Sequence, residues 1–381
     1  MLKDYTKGTS DLIKNINKAN VLDVIKKMQP ISRIEVSKVL KMSKSTISAI
    51  VDELIKEGLI VEKGYGEKGT VGRKPIQLYF NPNAKFIIGI SVESTNSIGI
   101  LTNLEGKILK KIKWKTGVKE EAFNGIVKVI KALIKENKNI IGIGIGLPGI
   151  TDIQKGIVNA PGLRWINFNL KEKLREILDY NIYLDNSVNY AALGEKWLGC
   201  CQEVENFVLI NIGNGIGAGI CVNGKLLRGS SYAAGEVGYM ATGDDVFERT
   251  YSYEDYGYFE RKASLSFLFE SVSQALPHVK DMEDLIEEYK KQNLACVQAV
   301  SQFIKNLSMG IANIVSILNP EAVIIGGDIL NYEIDIIDEL KEKVRKIVPF
   351  DFDIKIAQLR EDASAIGAIA DVLLNTNNLL L

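Results

Sequence analysis

The first residues able to do chemistry are small and polar or basic, and they come in clusters. Lys44, Ser45, Thr46 and Ser48 fall in one short stretch. Lys68, Arg73 and Lys74 lie in the glycine-rich run Gly64-Tyr65-Gly66-Glu67-Lys68-Gly69-Thr70-Val71-Gly72-Arg73-Lys74-Pro75. Short hydroxyl side chains exchange hydrogen bonds with base edges, while lysine and arginine neutralise phosphates. Together these residues suit the reading of duplex DNA. The other chemistry-bearing types are sparse. The 4 cysteines are Cys200, Cys201, Cys221 and Cys296, and His278 is the single histidine. None forms a Cys-x-x-Cys pair, and a zinc site needs about four Cys, His or carboxylate ligands. No metal is expected, and the cysteines read as reduced, buried thiols of a cytosolic protein.

The elements that would hold the basic and hydroxyl residues are legible. Val21, Leu22, Val24, Ile25 and Met28 give one apolar helical face, ended by Pro30. Ser32 stands three residues before Glu35, a capping box that opens a short second helix with Val36, Val39 and Leu40. A turn at Lys41-Met42 leads to Ser43, a good N-cap. The third helix carries Ile47, Ile50, Val51, Leu54 and Ile55 at helical spacing and stops at Gly58. Two short apolar strands follow, Leu59 to Val61 and Ile76 to Phe80, flanking the basic glycine-rich tip. This is the order of a winged helix-turn-helix. The third helix would enter the major groove with Lys44, Ser45, Thr46 and Ser48. Lys68, Arg73 and Lys74 on the wing would reach phosphates or a minor groove.

Charge supports that division. The 381 residues sum to zero, yet residues 1–80 hold 15 Lys and Arg against 9 Asp and Glu, a net of +6, and the rest carries −6. A polyanion partner is therefore expected at one end only. Apolar runs such as Ile140 to Ile150 are about half the length that spans a bilayer and are full of glycine, and no signal peptide is visible. A cytoplasmic protein without membrane partners is expected, with two domains at residues 1–80 and 81–381.

The second part alternates strands and helices. Strands are predicted at Phe86 to Val92, Ser97 to Leu101, Ile108 to Trp114, Ile140 to Gly146 and Ile182 to Leu184. Helices are predicted at Glu120 to Lys135, Asn169 to Leu178 and Val188 to Trp197. The pattern then restarts with strands at Phe207 to Ile212 and Gly217 to Cys221, and the hairpin turn Asn223-Gly224. Helices follow at Glu260 to Ala275 and Asn293 to Leu318, with strands at Ala322 to Ile325 and Asp353 to Leu359 and a closing helix from Ser364. Two halves, each opening as a meander and continuing as βα units, predict a duplicated, two-lobed α/β body with a ligand cleft between the lobes.

Several motifs recur in a familiar order. They are SRIEVSKVLKMSKSTISAIVDELIKEGLI (Ser32 to Ile60), GRKP (Gly72 to Pro75), GIGIGLPGI (Gly142 to Ile150) and NAPGLRW (Asn159 to Trp165). AALGEKW (Ala191 to Trp197), IGNGIGAGICVNGKLLRG (Ile212 to Gly229), AAGEVGYM (Ala233 to Met240) and NPEAVIIGGDI (Asn319 to Ile329) follow. From Asn20 to about Ala370 the chain resembles the ROK family of repressors, open reading frames and sugar kinases, and its repressor branch most. The resemblance implies an actin/hexokinase-like fold, in agreement with the duplicated pattern.

The departures bear on function. Where the family's kinases carry an Asp-x-Gly-Gly-Thr phosphate loop, this chain reads Ser91-Val92-Glu93-Ser94-Thr95. Two glycines that let phosphate approach are gone, and Glu93 adds negative charge. The kinases' proton-accepting aspartate is matched by Ser187 in Asp185-Asn186-Ser187, and a serine hydroxyl is a very poor base. Tyr239 stands where the family often has a zinc-binding histidine, and the loop Ala241 to Tyr258 has no cysteine. The resemblance assigns Asn186, Glu236 and Glu260 to sugar hydroxyls, with Tyr239 and Ser187 lining the same pocket. Gly213, Gly215, Gly217 and Gly326-Gly327 match nucleotide-contacting motifs but are expected to serve turns here. The expectation is a repressor of carbohydrate genes, a homodimer or higher homo-oligomer on operator DNA released by a monosaccharide such as xylose or glucose. No cofactor or catalytic residue is expected. The rivals are an active ATP-dependent sugar kinase with a DNA-binding domain, and a regulator controlled by a protein partner.

Overall fold

The computed structural model describes residues 10–65, 75–136, 139–243, 257–332 and 336–376, together with residue 247. The amino-terminal unit comprises α1 (Ser10–Met28), α2 (Arg33–Leu40), α3 (Lys44–Lys56), β1 (Ile60–Tyr65) and β2 (Ile76–Phe80). The predicted capping box is present, with Ser32 Oγ accepting from the Glu35 N–H and Glu35 accepting from the Ser32 N–H. Ser43 caps α3 through the Thr46 N–H. Val21, Leu22, Ile25, Val36, Ile47, Ile50, Val51 and Leu54 are buried as their spacing requires. Met28 and Val39 are exposed, because Met28 ends α1 and Val39 lies on the outer side of the short α2. β1 and β2 pair antiparallel, which makes the wing.

The first lobe contains β3 (Phe86–Ser91), β4 (Asn96–Asn103), β5 (Ile108–Lys115), α4 (Glu120–Ile134), β6 (Ile140–Leu147), β7 (Ile150–Asp152), β8 (Ile157–Ala160), β9 (Trp165–Asn169), α5 (Leu170–Arg175), β10 (Ile182–Asn186) and α6 (Ser187–Trp197). The second contains β11 (Phe207–Ile212), β12 (Ile216–Val222), β13 (Lys225–Leu226), α7 (Glu260–Ala263), α8 (Leu265–Ser273), α9 (Met282–Lys290), α10 (Leu294–Leu318), β14 (Ala322–Gly326), α11 (Ile337–Arg345), β15 (Asp353–Ile356) and α12 (Ala363–Thr376). The duplication is borne out strand by strand. One sheet runs β10-β6-β3-β4-β5 and the other β13-β12-β11-β14-β15. In each, an antiparallel meander is extended by two strands parallel to its first strand. Strands buried on both faces read as continuous apolar runs, as β3 and β14 do.

Three features differ from the sequence expectation. A small antiparallel sheet, β7-β8-β9, occupies the stretch between β6 and α5; its strands are too short and polar to show alternation. The helix expected from Glu260 to Ala275 is broken at Ser264, whose extended backbone and side chain cap α8. Helix α9 has no counterpart in the expectation, its amphipathic turns being mixed with charge.

Two helices, α6 and α12, join the lobes. α4 covers one face of the first sheet with Phe123, Ile126, Val129, Ile130 and Leu133, each worth about 2 kcal/mol when fully buried. α12 covers the opposite face and packs along α6, which in turn lies on β11 and β12. The approach is backbone to backbone. A Cβ on Gly367 of α12 would stand 1.6 Å from the Tyr190 carbonyl oxygen of α6, and one on Gly144 of β6 would stand 2.2 Å from the Ala368 carbonyl oxygen.

The winged unit docks on the first lobe. Phe80 leads through Pro82–Ala84 to β3, the Leu104 N–H donates to the Pro82 carbonyl at 3.0 Å, and the Asn103 amide donates to Asn83 at 3.1 Å. Leu59, Leu78 and Phe80 belong to the same apolar cluster as Ile98, Leu104 and the α12 residues Ile366 and Ile369.

Candidate functional site

The residues expected to read DNA stand at the start of α3. Lys44, Ser45 and Thr46 are exposed and Ser48 is half-buried. Ser43 Oγ lies 2.8 Å from Ser45 Oγ and 2.7 Å from Thr46 Oγ1, so three hydroxyls form one patch beside the helix N-terminus. The partial positive charge there adds to that of Lys44. Arg33 fixes this helix from behind. Its guanidinium meets Asp52 at 2.7 Å and Glu62 at 3.0 Å and donates to the Ser48 carbonyl, tying α2, α3 and β1 together. Sequence reasoning passed over Arg33, since no spacing rule connects it to residues so distant in the chain. Ala49 is exposed on the outward face between these hydroxyls and Asp52. Lys68, Arg73 and Lys74 lie outside the described residues.

The body places its polar residues where the carboxyl ends of parallel strands converge, the usual ligand position in open α/β sheets. Ser91 ends β3, Asn186 ends β10, and Asp328 follows β14. Ser91 Oγ donates to Glu93 at 3.1 Å, and Ser187 hydrogen-bonds the same carboxylate. Glu93 is exposed to solvent, with groups of both lobes beside it. Partial desolvation and the facing Asp328 carboxylate push its pKa up to about 7, against the two serine hydrogen bonds. Partial desolvation raises Asp328 as well.

A second pair of carboxylates stands in the second lobe. Burial raises Glu236, with the Glu260 charge adding to the effect. Burial also raises Glu260, opposed by N–H donors from Gly257 and Ile216. The two groups meet at one turn: Asp328 lies against Gly213, and a Cβ on Gly215 would stand 2.3 Å from Glu260 Oε1. Tyr239 follows on the same 3-10 turn as Glu236 and is 47% exposed. Carboxylates accept hydrogen bonds from the hydroxyls of neutral, hydroxyl-rich molecules and repel phosphates.

Asn186 has a structural duty. Its Oδ1 accepts from the Val188 and Asn189 N–H groups at the start of α6, and its Nδ2 donates to the Gly149 carbonyl at 2.7 Å. One amide hydrogen remains for a ligand. Sequence reasoning also missed the network behind this residue. Asp185, 2% exposed, accepts from Arg228 Nε at 2.7 Å and from Asn189 at 2.9 Å. Arg228 reaches Asp371 on α12, which accepts from the Tyr190 hydroxyl at 2.9 Å. The only signal in the sequence was a carboxylate directly ahead of Asn186. Asp328 did have a readable signal, a carboxylate immediately after a strand-ending glycine pair.

Residues 87–374 match the ROK family, and residues 14–61 match the winged helix-turn-helix DNA-binding family. The chain belongs to the ROK family. Among its relatives, the xylose repressor of Caldicellulosiruptor bescii is 34% identical over 96% of this chain and 97% of its own. The xylose repressor of Bacillus subtilis is 29% identical over 95% and 96%. A crystal structure described as a ROK family transcriptional regulator, a homolog of the Escherichia coli MLC protein, superposes with a TM-score of 0.80 at 24% identity, covering 97% of this chain and 98% of that one. The fold is thus that of a ROK protein with an amino-terminal winged helix-turn-helix and a sugar-kinase-like body. No helix among the described residues is long and apolar enough to cross a membrane.

Proposed function

We propose that this ROK protein is a sugar-responsive, DNA-binding transcriptional repressor of carbohydrate-use genes, acting in the cytoplasm as a homodimer. One observation carries the reading. A recognition helix with an exposed hydroxyl and lysine tip is continuous, through a shared apolar cluster, with a lobe junction lined by Glu93, Asp328, Glu236 and Glu260. In this reading the winged unit is residues 1–80 and the effector unit residues 81–381. Lys44, Ser45, Thr46 and Ser48 read bases, with Lys68, Arg73 and Lys74 on the backbone. Asn186, Ser187, Glu236, Tyr239 and Glu260 hold a monosaccharide, for which xylose is the first candidate because two relatives are named for it. Sugar binding shifts the lobes, and the docked winged units of the dimer leave the spacing that two half-sites require.

The body is not a working kinase in this reading. Ser187 occupies the position of the proton acceptor and is hydrogen-bonded to Glu93, and Glu93 repels the phosphates that a nucleotide would bring. Gel shift and DNase protection on the promoter regions of carbohydrate genes test the proposal. A preferred site is expected, with xylose weakening it by about 10- to 100-fold, a coupling of roughly 1–3 kcal/mol. Absence of any preferred site, with or without sugars, sinks the repressor reading. Steady ADP release with hexoses or pentoses overturns the loss of kinase function.

A further inference from the structure

The segment after α6 carries two adjacent thiols that neither DNA nor effector binding uses. The sulfurs of Cys200 and Cys201 lie 3.8 Å apart, within range of an S–H···S hydrogen bond. Their surroundings differ. Cys200 is half-buried, whereas Cys201 has no exposed surface and belongs to the apolar cluster of Ala191, Phe207, Leu209 and Cys221. A thiolate needs water or a hydrogen-bond donor, and Cys200 has both. The Cys201 S–H lowers the Cys200 pKa, against burial and the Glu195 charge, and the same bond with burial holds the Cys201 thiol far up. One sulfur is accessible to water; the other is shielded within the core.

The backbone adds a second asymmetry. A trans peptide sets successive Cα atoms about 3.8 Å apart, below the roughly 4.4–6.8 Å of ordinary disulfides. A bond between these sulfurs closes a strained ring, and strained disulfides are the readily reduced ones. The pair is therefore suited to cycling rather than to permanent cross-linking. It also sits at a joint. The Cys200 N–H donates to Glu195 Oε2 at 2.9 Å, and the Cys201 N–H to the Glu195 carbonyl at 3.0 Å. The other oxygen of this fully buried carboxylate accepts from the Leu359 N–H at 2.7 Å, on the approach to α12.

We propose that Cys200 and Cys201 form a reversible oxidation site for small hydroperoxides, with Cys200 the attacking sulfur and Cys201 the resolving one. The Cys200 thiolate attacks the terminal peroxide oxygen and the O–O bond breaks. The departing oxygen takes a proton from water, and Cys200 becomes a sulfenic acid. The Cys201 sulfur then attacks the Cys200 sulfur, and the hydroxyl leaves as water with the Cys201 proton. In sum, two thiols and a hydroperoxide give a disulfide, water and an alcohol, or a second water from hydrogen peroxide. Two molecules of a small thiol reverse it, forming their own disulfide. The partial cover over Cys200 restricts the oxidant to small molecules. Cys221 and Cys296 are internal controls, since burial raises both thiols, Cys221 to about 11.

The test is the mass of the full-length protein after hydrogen peroxide, without DNA or sugar, so its failure leaves the repressor reading untouched. The wild type is expected to lose two hydrogen atoms, mapped to the peptide holding both residues and restored by dithiothreitol. Cys201→Ala should instead gain one oxygen on Cys200, trapped by dimedone, and Cys200→Ser should not change. Should Cys201→Ala fail to fold, brief iodoacetamide labelling of the native wild type supplies the second readout, with Cys200 alone modified at neutral pH. Oxidation at Cys221 or Cys296, a Cys200→Ser variant that oxidises as fast as wild type, or a wild type that stays reduced overturns the proposal.

Discussion

At the scale of residues, Asn186 shows how a side chain assigned to a ligand also answers to the fold. The Asn186 side-chain oxygen is taken up by the α6 cap, so Asn186→Ala should lower stability by about 1–2 kcal/mol without any sugar present. Urea unfolding measures this, and a change within error would make Asn186 a ligand residue alone. Glu93 carries a pH dependence. Its folded pKa of about 7 lies above the ordinary 4.5. Below about 4.5 the carboxyl is protonated whether the chain is folded or not, and it costs nothing. Between about 4.5 and about 7 the unfolded chain releases its proton while the folded one keeps it, so stability falls as pH rises. Glu93→Gln should match wild type near the lower limit and exceed it above the upper one. Parallel urea midpoints for the two proteins across that range would contradict the assignment.

Elements were the most legible level. Capping boxes, helical spacing and the Asn223-Gly224 turn depend on near neighbours, and each is present, the last with both residues at positive φ. Ser264 was harder, because a polar residue in an apolar helical run reads as a tolerated position until its cap bond is seen. The β7-β8-β9 sheet was not legible, since its strands are only 3, 4 and 5 residues long. Trp165 stacks on Phe168 at 4.4 Å and donates to the Lys119 carbonyl at 3.0 Å. The contact between α6 and α12 gives the sharpest prediction at this scale. Gly367→Ala forces a methyl into the Tyr190 carbonyl and should cost about 3 kcal/mol by overpacking. A thermal melt unchanged from wild type would show that the helices part without strain.

For the whole molecule, the decisive contacts cross between units. Arg228 comes from the second lobe, Asp185 from the first, and Asp371 from the helix that crosses between them. Arg228→Met leaves the Asp185 carboxylate buried and unpaired and should cost about 3 kcal/mol. Adding Asp185→Asn should recover part of that loss in urea unfolding; a double variant no better than the single one would separate the two residues. The cluster that joins Leu59 and Phe80 to Leu104 and Ile366 packs the winged unit against the first lobe. In the proposed reading, sugar-driven motion of that lobe reaches the DNA-binding unit through this contact.

The sequence alone determined the winged helix-turn-helix, the charge asymmetry, the duplicated strand order and membership of the ROK family, all of which rest on local spacing or on motif order. Only the tertiary structure decided what surrounds Lys44, Ser45, Thr46 and Ser48, namely the Arg33 strut behind them and the hydroxyl patch that Ser43 completes. It alone set Glu93 opposite Asp328 and Cys201 beneath Cys200 in the core. The physical reason is range. Propensity and capping act over a few residues, whereas desolvation and charge pairing depend on groups that meet only when the lobes and the wing have docked.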